Sequence, residues 1–124
     1  MGIFSKREKI DWVQLTNSEQ LDQVVDDSAK KPVLLFKHST RCAISTMALD
    51  RYKRGFNSDV VMENYFLDLL SFRDISNAIA QRFGVTHQSP QVILLSKGEV
   101  VYHTSHQDIS FDKIEKAISQ LDAE

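Results

Sequence analysis

The sequence has one cysteine, Cys42, so no disulfide can form within the chain and folding cannot depend on an oxidising compartment. It has no apolar tract near the roughly 18 residues that a membrane span needs, and no apolar segment typical of a secretory signal. It also has no excess of one charge, because 15 bases oppose 17 acids for a net charge of −2. We therefore expect a cytoplasmic protein whose partners are neither nucleic acids nor membranes.

A chain of 124 residues with a 42% hydrophobic share can form one globular domain with its own core. We predict a flexible leader over residues 1–10 and a single domain over residues 11–124. Neither internal repeats nor low-complexity segments divide this domain.

Apolar periodicity predicts alternating strands and helices along the domain. We expect strands at residues 11–15, 33–36, within 60–70, 91–95 and 100–103, and helices at residues 18–29, 43–54, 75–83 and 110–121. The order β-α-β-α-β-α-β-β-α predicts an α/β fold. Its central mixed sheet would combine parallel strands with a C-terminal antiparallel hairpin, flanked by helices.

Local signals mark where some of these elements begin and end. Thr16 and Glu19 have the spacing of a capping box ahead of the first helix, and Asp74 is a candidate cap for the third. The apolar run at the second strand is typical of a strand covered on both faces. We expect Lys37 and His38 to lead this strand towards the surface.

The second helix is expected to have one apolar stripe, formed by Ile44, Met47, Ala48 and Tyr52 at helical spacing. The basic residues of positions 51–54 are expected to be a solvated helix end.

Cys42 lies after a buried strand and a short turn, and it opens the second helix. Unpaired backbone N–H groups and the positive end of the macrodipole at a helix start both stabilise a thiolate. Arg41 and His38 could add positive charge. A free cysteine has a pKa of about 8.5, and such settings lower it to roughly 3.5–7.5. We predict a reactive thiol; the alternative is a buried structural cysteine.

Ser45 stands where a dithiol enzyme of C-x-x-C spacing has its second cysteine. A serine cannot attack a mixed disulfide, so an outside thiol would have to resolve it. The Ser45 hydroxyl could donate a hydrogen bond to the Cys42 sulfur, or it could simply be a serine at a helix N-terminus.

Ser89-Pro90 precedes the fourth strand, where a proline is tolerated because the first strand position need not donate to the ladder. Among the four histidines, His38 and His106 lie in segments that could flank Cys42. None of the four has metal-ligand spacing, so no metal site is expected.

Three segments together resemble the monothiol bacilliredoxins, the YtxJ-like proteins of low-GC Gram-positive bacteria. They are residues 36–45, which read Phe-Lys-His-Ser-Thr-Arg-Cys-Ala-Ile-Ser, residues 89–92 and residues 102–106. The resemblance extends from about residue 12 to residue 121. The family pattern around the cysteine is Thr-Cys-Pro-Ile-Ser, so Ala43 replaces its proline. That change should affect helix rigidity and redox poise and leave the nucleophile intact.

The resemblance implies a thioredoxin-like fold, in which the bond before Pro90 is cis and faces the reactive sulfur. It implies a monomeric enzyme with no bound cofactor that removes bacillithiol, its co-substrate, from bacillithiolated proteins by attack of Cys42, as part of a redox stress response. The implied substrate-binding residues are Thr40, Arg41, Ala43, Ser45, Ser89, Pro90 and His106.

Two other functions remain open at this point. Monothiol glutaredoxins carry iron–sulfur clusters between two subunits, but their Cys-Gly-Phe-Ser loop differs from the Cys-Ala-Ile-Ser of residues 42–45. A thioredoxin-like domain could also bind a partner peptide beside Pro90 without any enzymatic activity.

Overall fold

The computed structural model describes residues 9–122, so most of the expected leader lies outside the described residues. The strands are Trp12–Gln14 (β1), Val33–His38 (β2), Glu63–Asp68 (β3), Gln91–Ser96 (β4) and Glu99–Ser105 (β5). The helices are Gln20–Ser28 (α1), Ala43–Gly55 (α2), Arg73–Phe83 (α3) and Phe111–Asp122 (α4). The predicted order is confirmed. A short 3₁₀ turn at His106–Asp108, which the sequence did not predict, follows β5.

The strands form one mixed sheet in the order β1-β3-β2-β4-β5. β3 pairs in parallel with β1 and with β2. β4 pairs antiparallel with β2 and with β5, so the predicted terminal hairpin is confirmed. The predicted α/β class with a central mixed sheet is therefore correct.

Each face of the sheet has its own core, because successive side chains of β2 point to opposite faces. On one face Leu35 belongs to a buried cluster with residues of α1 and α3, such as Val24 and Ile79. On the other, Phe36 belongs to a cluster with residues of α2 and α4, such as Tyr52 and Phe111. Helices thus cover both faces.

The end of β2 differs from the prediction, because Lys37 and His38 do not approach the surface. Lys37 is 0% exposed and His38 6% exposed. β2 stays central to its last residues, since Lys37 pairs with Leu67 of β3 and with Gln91 of β4. The Lys37 amine donates to His87 Nδ1 at 3.1 Å. Burial lowers the pKa of Lys37 from 10.5 to about 8.

The buried face of α2 also differs from the predicted stripe. Ala48 and Tyr52 are buried as predicted, but Ile44 and Met47 are 45% and 61% exposed. The third buried position is Ser45, at 0% exposure. The helix is rotated towards Ser45 because the hydroxyl of this serine has hydrogen-bond partners inside the protein.

The capping interaction of α1 lies one residue later than predicted. Asn17 N–H donates to Gln20 Oε1 at 3.1 Å, and Gln20 N–H donates to Asn17 Oδ1 at 3.1 Å. This is the reciprocal geometry of a capping box, to which neither Thr16 nor Glu19 contributes a side chain, although the Thr16 N–H also donates to Gln20 Oε1, at 2.7 Å. Asp74 likewise does not cap α3, whose N-cap Phe72 makes no side-chain cap bond and which has Asp74 in its first turn.

We expect Asn17→Ala to lower the free energy of unfolding by about 1 kcal/mol, because it removes the acceptor for the Gln20 amide. Urea denaturation measures this loss. Thr16→Ala is the matched control and should change stability little, since no hydrogen bond of the Thr16 side chain is found in residues 9–122. A larger loss for Thr16→Ala than for Asn17→Ala would restore the original assignment.

Candidate active site

Three strand ends meet at one edge of the sheet, beside the start of α2. The pairing of Lys37 with Gln91 and of Gln91 with Ser105 places the end of β2, the start of β4 and the end of β5 side by side. Cys42 follows the end of β2 by a short loop and is the N-cap residue of α2. The predicted nucleophile therefore lies at this edge.

Residues that flank β4 and β5 border the same edge. The Ser89–Pro90 bond is cis, as the resemblance implies. The His106 N–H donates to the Pro90 carbonyl at 3.1 Å, and His106 has a left-handed backbone with φ of 56°. Ser89 is half-buried, and its N–H and C=O make no hydrogen bond within residues 9–122. A free main-chain donor and acceptor at this position can pair with an extended substrate segment.

Cys42 is partly exposed and has an extended backbone, with φ of −114° and ψ of 121°. Its sulfur makes no hydrogen bond within the described part of the chain. The first N–H groups of α2 have no partner inside the helix, and they carry the positive end of its dipole. Thr40, Arg41 and Ala43 are exposed around the cysteine. The thiol is therefore open to attack an external disulfide, and the alternative of a buried structural cysteine does not hold.

Ser45 is linked to the interior and not to the sulfur. Its Oγ accepts the Ser39 N–H at 3.0 Å and lies 2.8 Å from His38 Nδ1. Ser45 is fully buried and does not donate to the Cys42 sulfur in this structure, while its contact with substrate stays a prediction. Its role is to join the loop before Cys42 to α2.

His38 does not supply the positive charge that its position suggested. Burial lowers the pKa of His38, while the nearby Asp68 carboxylate acts in the opposite direction and Lys53 adds to the lowering. The imidazole is thus neutral near neutral pH, and Arg41 is the charged neighbour that remains beside Cys42.

Comparison with known proteins decides the family. Residues 13–114 match the family described as monothiol bacilliredoxin BrxC. The chain belongs to the monothiol bacilliredoxin family. A solved structure described as a proposed oxidoreductase with a thioredoxin fold is 33% identical, with a TM-score of 0.75 over 86% of this chain and 92% of that chain.

More distant structures agree on the fold of this bacilliredoxin. The thioredoxin of Malassezia sympodialis is 20% identical, with a TM-score of 0.65 over 92% of this chain and 91% of that chain. Thioredoxin f of spinach chloroplast is 19% identical, with a TM-score of 0.62 over 88% and 91%. The thioredoxin fold and the bacilliredoxin family are both confirmed, and the protein is a thiol oxidoreductase with one cysteine.

Arg51 is a contributor to the bacilliredoxin site that the sequence did not indicate. Its Nε donates to the Ile109 carbonyl at 2.9 Å, and its Nη2 donates to the His106 carbonyl at 3.0 Å. It therefore fastens the turn that carries His106 to α2, and the prediction of a solvated helix end is wrong at this position. The acceptors are backbone carbonyls 58 and 55 positions away, which leave no local sequence signal.

In residues 9–122, no three or more His, Cys, Asp or Glu side chains are grouped so as to hold a metal ion. Among the helices of the same part of the chain, none is long and apolar enough to cross a membrane.

Proposed function

We propose that Cys42 removes bacillithiol from proteins that carry it as a mixed disulfide. The observation that carries the proposal is the sulfur itself: it is partly exposed at a helix N-terminus and is the only thiol of the chain. The half-buried Ser89, whose main-chain groups are unpaired within residues 9–122, offers a docking edge for the modified segment. The family supports the choice of bacillithiol as the small thiol.

Two thiol–disulfide exchanges complete the reaction. The Cys42 thiolate attacks the bacillithiol sulfur, a new S–S bond forms between them, and the target cysteine leaves as a thiolate. A free bacillithiol thiolate, or another small thiol, then attacks the adduct. This second step restores the Cys42 thiolate and releases bacillithiol disulfide, or the mixed disulfide of bacillithiol with the other thiol. The two exchanges need no oxidant or reductant other than the small thiol. Ser45 takes no part as a resolving group.

Thr40, Arg41 and Ala43, which are exposed next to Cys42 in the chain, would contact the incoming disulfide, together with His106, whose N–H is bonded to the Pro90 carbonyl. We further propose that the enzyme acts as a monomer, since one chain supplies every group named. A compartment that keeps small thiols reduced, such as the cytoplasm, suits the regenerating step.

Mass spectrometry after mixing reduced protein with a bacillithiolated substrate tests the proposal. The expected result is loss of the adduct from the substrate and one bacillithiol on Cys42. Addition of free bacillithiol should then remove that adduct. A substrate that stays modified would falsify the proposed enzyme activity, and binding of the substrate without transfer would favour a non-enzymatic peptide-binding domain.

A further inference from the structure

Within the part of the chain that the structure describes, the hydroxyl proton of Ser45 has one acceptor, His38 Nδ1. Ser45 is 0% exposed, so its O–H cannot donate to bulk water, and buried hydroxyl groups are normally hydrogen-bonded. The Oγ already accepts the Ser39 N–H, and its other partner is His38 Nδ1 at 2.8 Å. The Cys42 sulfur makes no hydrogen bond within residues 9–122. The proton therefore lies between Ser45 and His38.

This arrangement determines the protonation of the imidazole. For Nδ1 to accept the Ser45 proton it must carry none of its own, so the neutral ring has its proton on Nε2. The opposite tautomer would give Ser45 Oγ a second donor and leave its own proton without an acceptor in the structure. Asp68 is the strand-register partner of His38 on β3, and the charge of its carboxylate raises the pKa of the imidazole.

We infer that His38 is a positioning residue for Cys42 that acts through Ser45: it holds the hydroxyl proton of Ser45 away from the sulfur. This inference rests on Cys42 being the reacting thiol, as proposed above. Cys42 and Ser45 are the N-cap and N3 positions of α2, the C-x-x-C spacing at which the two side chains of a dithiol enzyme are near enough to form a disulfide. Without His38, the hydroxyl could therefore turn to the thiolate.

The consequence is a more nucleophilic sulfur. A hydrogen bond from Ser45 would stabilise the thiolate, and the nucleophilicity of a thiolate falls as its basicity falls. Each thiolate formed at Cys42 is therefore a stronger nucleophile than one bonded to Ser45, while the fraction of the thiol that is ionised below the alkylation midpoint is smaller. A protonated His38 would reverse this, because its Nδ1–H would donate to Ser45 Oγ and release the hydroxyl proton.

The charged groups that face His38 come from two elements. Asp68 of β3 favours the charged imidazole, and Lys53 of α2 opposes it. The rings of Phe36 and Phe66 complete its surroundings, with centroids 6.5 Å and 5.4 Å from the imidazole. Lys37, the preceding strand residue, points to the other face, where it contacts His87.

A double-mutant cycle tests the inference without any bacillithiol. The measurement is the pH midpoint of Cys42 alkylation by iodoacetamide in wild type, His38→Leu, Ser45→Ala and the double variant. We expect His38→Leu to lower the midpoint by about one unit, the size of one hydrogen bond to a charged acceptor. Ser45→Ala alone should leave it nearly unchanged, and His38→Leu should have little effect when Ser45 is already alanine.

His38→Asn is the conservative variant, because its amide oxygen can accept the Ser45 proton, and it should restore the wild-type midpoint. Equal shifts for His38→Leu in both backgrounds, or no shift in either, would overturn the inference. If a variant does not fold, a nitrogen-detected NMR spectrum of His38 in the wild-type protein tests the inference independently. An unprotonated Nδ1 at neutral pH is expected, and a protonated Nδ1 would contradict the proposed role. Neither readout depends on substrate transfer, so the proposed function can fail independently.

Discussion

Cys42→Ser is expected to abolish transfer of bacillithiol from a modified protein, with a fall in rate of at least about a thousand-fold. A serine hydroxyl is a poor nucleophile without an adjacent base, and the imidazole that precedes this turn, His38, is buried and bonded to Ser45. The measurement is the initial rate of substrate recovery, followed by mass spectrometry under single-turnover conditions.

The fold should survive this substitution, which makes the result chemically interpretable. Cys42 is the N-cap of α2, and serine is among the preferred residues at that position, so stability should be unchanged or slightly higher. Asp50→Asn, an exposed change on the same helix, is the matched control and should retain the wild-type rate. A Cys42→Ser variant that still transfers bacillithiol would remove the cysteine from the mechanism.

The elements of this fold were predictable because each has a local signal. The apolar run of β2, the alternation of strands and helices, and Gly84, which ends α3 with a φ of 68°, all lie within a few residues of what they determine. The predicted cap of α1 was wrong by one residue because two neighbouring polar side chains could each cap the helix. Asn17 replaced Thr16 as the cap because the Gln20 side chain, and not that of Glu19, reaches back to it.

The position of Cys42 was also predictable, since a strand, a short loop and a helix start are adjacent in sequence. The interior of the site was not. Ser45 can be buried only because His38 and Ser39 bind its hydroxyl, and Arg51 is half-buried only because carbonyls more than 50 positions away accept its donors. Periodicity assigns polar side chains to the surface, because it carries no information about hydrogen-bond partners that become neighbours only in the tertiary structure.

Lys37 is the clearest case of a polar side chain buried against a distant partner, and its burial lowers the stability of the folded state. Its side chain extends from the central strand β2 and is fully buried, and an ammonium removed from water is unfavourable unless it is well paired. The only partner found for it in residues 9–122 is His87 Nδ1, whose own pKa is lowered by burial and by the charges of Lys37 and Arg73. No carboxylate of residues 9–122 forms an ion pair with this amine.

The pH dependence of stability follows from the lowered pKa of Lys37. Between about pH 8 and pH 10.5 the unfolded chain binds a proton at this amine that the folded chain has released. Stability therefore rises with pH through that window. Below it both states are protonated, and the folded state bears the full cost of the buried charge.

We expect Lys37→Met to raise the free energy of unfolding at pH 7 by on the order of 2 kcal/mol, because it replaces a buried ammonium with an apolar chain of similar length. Ser76 Oγ, at 3.3 Å from His87 Nδ1, can take over the lost hydrogen bond. Urea denaturation at pH 7 and pH 10 should show the gain over wild type shrinking as pH rises. Lys116→Met, an exposed control, should change stability by less than about 0.5 kcal/mol at either pH. A Lys37→Met variant less stable than wild type at pH 7 would mean that the His87 contact outweighs the cost of burying the charge.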